Sequence, residues 1–154
     1  MTAKFSQFRH DLGVVDLALY VRSLRPTFTL VTEREMRTED TANQYRDSAR
    51  PVWAVQRLTG DPAKRRLFPD LLQVSPEGVR VVHELELTPK TVARLQDIQR
   101  AYLTDERIGS VRYWVGPDAR PRVEEVAESV NTWAERERLR HRVAVQPWPR
   151  EGER

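Results

Sequence analysis

Ser75-Pro76-Glu77-Gly78 constrains the fold of this chain more than any other stretch. Serine at the first position, proline at the second and glycine at the fourth are type I turn preferences. Gly78 can supply the left-handed residue of a G1 bulge. From Leu67 to Lys90 the chain therefore reads as a strand, a tight turn, a second strand and the first turn of a helix. A three-residue hairpin loop pairs Ser75 with Val79, and counting back sets Asp70 opposite Glu84. Paired residues share a face, and Glu86, two residues on, lies on it too, roughly 7 Å further along the strand. Leu71, His83, Leu85 and Leu87 then fall on the opposite face, suited to helix packing. A four-residue loop would shift the register and bring Asp70 opposite His83 instead.

Three carboxylates on one face repel, and each raises the pKa of the others. A bound cation relieves this most simply. Oxygen ligands suit Mg²⁺ or Mn²⁺, with waters and substrate phosphate completing the shell. Such an ion polarises a phosphodiester for hydrolysis. Asp70, Glu84 and Glu86 are the candidate metal ligands. Lys90, expected in the first turn of the next helix, is the candidate contact to water or phosphate. The competing reading is a solvated sheet face whose acids pair with arginines.

The rest of the chain supplies the frame. Val14, Leu17, Ala18, Val21 and Leu24 recur at helical spacing, predicting a helix from His10 to Leu24 closed by Pro26. Phe28–Val31 predicts a short edge strand. Thr32 is a candidate N-cap, with Glu33 and Glu35 in the turn after it. Residues 38–50 read as a loop, 51–55 as a short strand and 56–66 as a loop. Thr88 and Pro89 predict the start of a helix running to Leu103, with Val92, Leu95, Ile98 and Tyr102 as its stripe. A strand over 107–115 and a helix over 121–138 follow, the latter with Val123, Val126, Ala127, Val130, Trp133 and Ala134 on one face. A last strand covers 142–146. This alternation predicts an α/β sandwich with a central mixed sheet between helices. Residues 1–146 form one domain and 147–154 a tail.

Composition narrows the class further. With no cysteine, neither disulfides nor a thiolate zinc site holds the fold, which fits a cytoplasmic setting. The N-terminus lacks the apolar run of a signal peptide, and no run approaches membrane-spanning length, so no membrane association is expected. The net charge of +3 permits nucleic-acid binding without arguing for it. Lys64, Arg65 and Arg66, just before the Asp70 strand, are the candidate contacts to a DNA backbone. The run Arg136, Arg138, Arg140 and Arg142 is interleaved with acids and reads as a solvated helix end. Trp53, Trp114 and Trp133 are expected in the core, and His83 as a core residue rather than a ligand.

Pro69-Asp70 followed by Glu84-Leu85-Glu86 resembles the motif of the PD-(D/E)XK nuclease superfamily, and the element order from Pro51 to Val145 is similar to its core. More closely, the segment from His83 to Leu95 followed by Tyr102 resembles the actinobacterial replication-relaxation family, associated with plasmids and mobile elements. The resemblance spans about His10 to Val115. It implies a restriction-endonuclease-like α/β/α sandwich, with Asp70 and Glu84 as metal-binding acids, Glu86 at the superfamily's lysine position and Lys90 as a migrated lysine. Glu33 or Glu35 would correspond to an additional helical acid. The implied activity is a Mg²⁺- or Mn²⁺-dependent DNA endonuclease or nickase in plasmid replication or transfer. The alternative is a non-catalytic module of the same fold that binds DNA or a partner protein. No helix-turn-helix precedes His10, so a separate DNA-recognition or replication protein, such as a winged-helix partner, is expected.

Overall fold

A computed structural model describes residues 2–44, 51–60 and 66–148 of the chain. The central turn forms as its residues dictate. The Gly78 N–H donates to the Ser75 carbonyl at 2.9 Å, and the Ser75 N–H donates to the Val79 carbonyl at 2.9 Å. The Val79 N–H donates to Ser75 Oγ at 2.9 Å. Gly78 has φ 89°, a left-handed conformation that glycine adopts without a Cβ clash.

The described elements are α1 (Ala3–Leu24), β1 (Thr29–Thr32), α2 (Glu33–Gln44), β2 (Val55–Gln56), β3 (Arg66–Leu67), β4 (Leu71–Val74), β5 (Arg80–Glu86), α3 (Val92–Thr104), β6 (Ile108–Val115), α4 (Arg120–Arg136) and β7 (Val143–Pro147). The fold is mixed α/β. Five strands form one sheet in the order β1-β4-β5-β6-β7, and β2 and β3 form a separate two-stranded sheet. β1, β4 and β5 run antiparallel as neighbours. β5, β6 and β7 are parallel, linked through α3 and α4. Such parallel connections require a crossover helix.

Two apolar cores hold the sheet. Leu72, Val82, Val111, Tyr113 and Val115 pack with Leu95, Ile98 and Tyr102 of α3 and Val123, Val126 and Val130 of α4. Leu71, Leu85 and Trp114 pack with Leu17 and Val21 of α1. Alternate residues of β5 therefore serve opposite cores, as the period-two geometry of a strand requires. The predicted edge strand before Thr32 is found as β1, at the sheet edge.

Several expected boundaries move. α1 begins at Ala3, seven residues before His10, and its added turns carry the exposed Phe5 and Phe8. Residues 38–44, expected as loop, continue α2. The cause is tertiary: Asp40 is 3% exposed and accepts the N–H groups of Val52, Trp53 and Ala54. Of the strand expected over 51–55, only Val55 pairs, together with Gln56. The strand expected from Leu67 is divided, Leu67 pairing with Val55 in the small sheet while β4 starts at Leu71. Thr91, not Thr88, caps α3: its Oγ accepts the Arg94 N–H at 3.2 Å. Lys90 thus precedes the helix instead of lying in its first turn.

Candidate functional site

The ladder pairs Leu71 with His83 and Val74 with Arg80. Continued by one step, it sets Asp70 opposite Glu84, which is the three-residue-loop register and excludes the shifted one. Asp70 lies just ahead of β4, and its Oδ2 accepts the Leu85 N–H at 2.9 Å. Glu84 and Glu86 close β5. The acids therefore gather where the central parallel strands end.

Each carboxylate has a different environment. Glu84 is 6% exposed and accepts the hydroxyl of Tyr102 from α3. Burial first, and the charge of Asp70 second, push its carboxyl well above the usual range. Glu86 accepts from the Lys90 ammonium. Its carboxyl is also raised, because burial outweighs the lysine charge. Asp70 behaves oppositely. Burial pushes it up, but the hydrogen bond and charge of His10 and the Leu85 N–H prevail, and the net shift is downward. His10 Nε2 lies 3.4 Å from Asp70 Oδ2, and that partner raises the imidazole above its ordinary value. The acid cluster thus holds one carboxylate kept charged, Asp70, and two driven toward their neutral forms, Glu84 more strongly than Glu86.

The residue types supply hard oxygen donors, which suit Mg²⁺ or Mn²⁺. Tyr113 of β6, paired with Glu84 and raised first by burial and then by the charges of Glu84, Glu86 and Asp70, has a buried hydroxyl without a hydrogen-bond partner. Such an orphan beside two acids fits a cluster able to take a further polar ligand. The geometry is not that of a finished cage, however. Among the described residues no three His, Cys, Asp or Glu side chains are grouped to hold one ion. Asp70 accepts the Leu85 N–H, Glu84 the Tyr102 hydroxyl and Glu86 the Lys90 ammonium.

Other expected contributors lie elsewhere. Lys64 and Arg65 are outside the described residues, and Arg66 is exposed on β3, paired with Gln56. Glu33 pairs with Arg37, and Glu35 accepts the Thr32 hydroxyl while its N–H donates to Thr32 Oγ. Both glutamates serve the start of α2. His83 is a core residue as expected, on the face away from Glu84. A cleft of about 1050 Å³ opens at the opposite end of β5, lined in part by Arg80, Arg107, Arg138, Arg140 and His141. Its Arg80 and Arg107 are already bonded to backbone carbonyls of the 51–54 segment. The carboxylate chemistry lies at the other end of the strands.

His10, Tyr102 and Tyr113 are the members that sequence reasoning missed. Tyr102 stood in the α3 stripe and Tyr113 in the β6 alternation, both signs of burial. His10 carried no local signal, since only the packing of α1 on the sheet brings it to Asp70. No family model matches the chain, and neither a curated protein nor a solved structure does.

Proposed function

We propose that this chain is a nuclease-fold domain of restriction-endonuclease-like α/β/α type, related to the replication-relaxation family. Its Asp70–Glu84 pair binds Mg²⁺ or Mn²⁺ and hydrolyses phosphodiester bonds of DNA, as an endonuclease or nickase in plasmid or mobile-element replication or transfer. The observation that carries this reading is the hairpin register, which sets Asp70 against Glu84 at the ends of adjacent strands. The antiparallel β1-β4-β5 arrangement followed by a parallel crossover supports the same frame.

Asp70 and Glu84 would hold the ion, and when bound it would polarise the scissile phosphate. Asp70, held below its ordinary pKa, offers a charged oxygen. Glu84 would hold the ion as its carboxylate, because a cation offsets the cost of its buried charge. The Tyr102 hydroxyl orients the Glu84 carboxyl, and Lys90 keeps Glu86 beside the pair. His10 balances the Asp70 charge from α1.

The test is cleavage of supercoiled plasmid DNA by the full chain with Mg²⁺ or Mn²⁺, alone and with a winged-helix partner protein. Nicked or linear product that Asp70→Ala and chelator both abolish is expected. Undiminished cutting by Asp70→Ala would overturn the assignment. One observation favours a second reading: Asp70, Glu84 and Glu86 all have protein partners already. In that case the domain is a non-catalytic module that binds DNA or a protein partner. Binding that survives chelator, with no cleavage under either metal, would select it. No described helix is long and apolar enough to cross a membrane.

A further inference from the structure

α1 has two apolar faces. Gly13, Leu17 and Val21 are buried against the sheet. Phe5, Phe8, Leu12, Val15 and Leu19 are 52%, 59%, 53%, 59% and 60% exposed. Their spacing alternates three and four residues without a break. That is the a/d pattern of a coiled-coil seam, with Leu17 at f on the far side. A period of 3.5 is matched by a second helix wound against the first. An interfacial membrane helix needs a charged face opposite its apolar one, and here the opposite face is bound to the sheet.

From these observations we infer that α1 is a dimerisation helix, and that its occupant is α1 of a second copy running antiparallel. Antiparallel pairing stacks a against d, placing Leu12 on Val15 of the second copy, Phe8 on Leu19, and Phe5 on Arg22. In the same register Arg9 and Asp16, both at e positions, meet across the seam twice by symmetry. Parallel pairing would instead set Phe5 on Phe5 and Arg22 on Arg22, bringing like charges together. The five side chains together would cover on the order of 500 Å² per copy, about 1,000 Å² in total, the threshold for a biological interface. Left open, a patch of that extent lies toward the upper end of what monomers expose, a size that often marks a contact surface.

Sedimentation equilibrium of the full chain reads this directly. Twice the chain mass at micromolar concentration is expected, and the single-chain mass for Leu12→Glu combined with Leu19→Glu, with unchanged far-UV circular dichroism. Because α1 could lose helix in that variant, the charge pair provides a second measurement. Arg9→Asp should weaken the dimer about tenfold, and adding Asp16→Arg should restore it. The chain has no cysteine, so orientation is read by mixing Leu12→Cys and Val15→Cys chains and oxidising. Crosslinks between the two different chains support antiparallel pairing. Faster self-crosslinking of Leu12→Cys overturns it. A wild-type monomer at all concentrations, or a monomer that binds phosphatidylserine vesicles through this stripe, overturns the inference as a whole.

Discussion

Lowering the pH should destabilise the chain through His83, and the size of the effect follows from its surroundings. His83 is 2% exposed, between β4 and β6. The Trp114 indole N–H donates to its Nδ1 at 3.1 Å, so the imidazole proton sits on Nε2, which donates to Gln73 Oε1 at 2.9 Å. Gln73 in turn donates to the Val21 carbonyl of α1 at 3.1 Å. A proton on Nδ1 would face the indole N–H. Burial first, then the charges of Arg112 and Arg25, bring the imidazole from 6.5 down to about 3. The unfolded chain therefore takes up a proton below pH 6.5 that the folded chain refuses. The pH slope of stability is about +1.4 kcal/mol per pH unit between the two values, and the loss by about pH 4 reaches about 3.5 kcal/mol. That is a large fraction of an ordinary folding free energy. His83→Gln cannot titrate. It should cost about 1–3 kcal/mol at neutral pH through imperfect replacement of the two hydrogen bonds. Urea unfolding of both proteins from about pH 4 to 7, followed by tryptophan fluorescence, isolates the effect as a difference of slopes. The two stability curves should converge as the pH falls. Parallel curves would refute the neutral, doubly bonded imidazole.

Three further outcomes are expected. Glu84 has the opposite sign: its folded value is raised above 4.5, so stability is full below 4.5 and is lost as pH rises through the folded value. Glu84→Gln should remove a slope of about −1.4 kcal/mol per pH unit, and the same urea series, showing an unchanged slope, would count against a raised carboxyl. His10 is raised by Asp70, so its contribution is full below 6.5 and is lost as pH rises through its folded value. An NMR titration of the His10 ring should show a midpoint that falls in Asp70→Asn, and an unmoved midpoint would separate the two groups. Arg107 donates to the carbonyls of Pro51, Val52 and Ala54 and to Asp105, a fork that lysine cannot reproduce. Arg107→Lys should lose about 2–3 kcal/mol, read as a Tm lower by several degrees; an unchanged Tm would show the fork to be without net value.

The elements legible in the sequence are those specified within a few residues. The turn residues with their glycine carry the hairpin register, and hence the meeting of Asp70 with Glu84, independently of any tertiary contact. The stripes of α3 and α4 were legible because burial repeats at helical spacing. The first seven residues of α1 lie outside the buried stripe, since Phe5 and Phe8 belong to the exposed face. Thr88-Pro89 satisfied the local preferences for a helix start as well as Thr91 does. The choice between them depends on where β5 delivers the chain, and a local rule cannot see that.

By itself, then, the sequence determined the mixed α/β order, the turn and the pairing of two acids. Turn preferences and side-chain periodicity act over a few residues, where composition dominates. Only the tertiary structure decided what those acids touch. His10 reaches Asp70 across sixty residues, Tyr102 reaches Glu84 from the next helix, and Asp40 organises a segment twelve residues on. A carboxyl's charge state depends on burial and on partners brought from distant parts of the chain. The same packing determined which face of α1 lies on the sheet and which remains open.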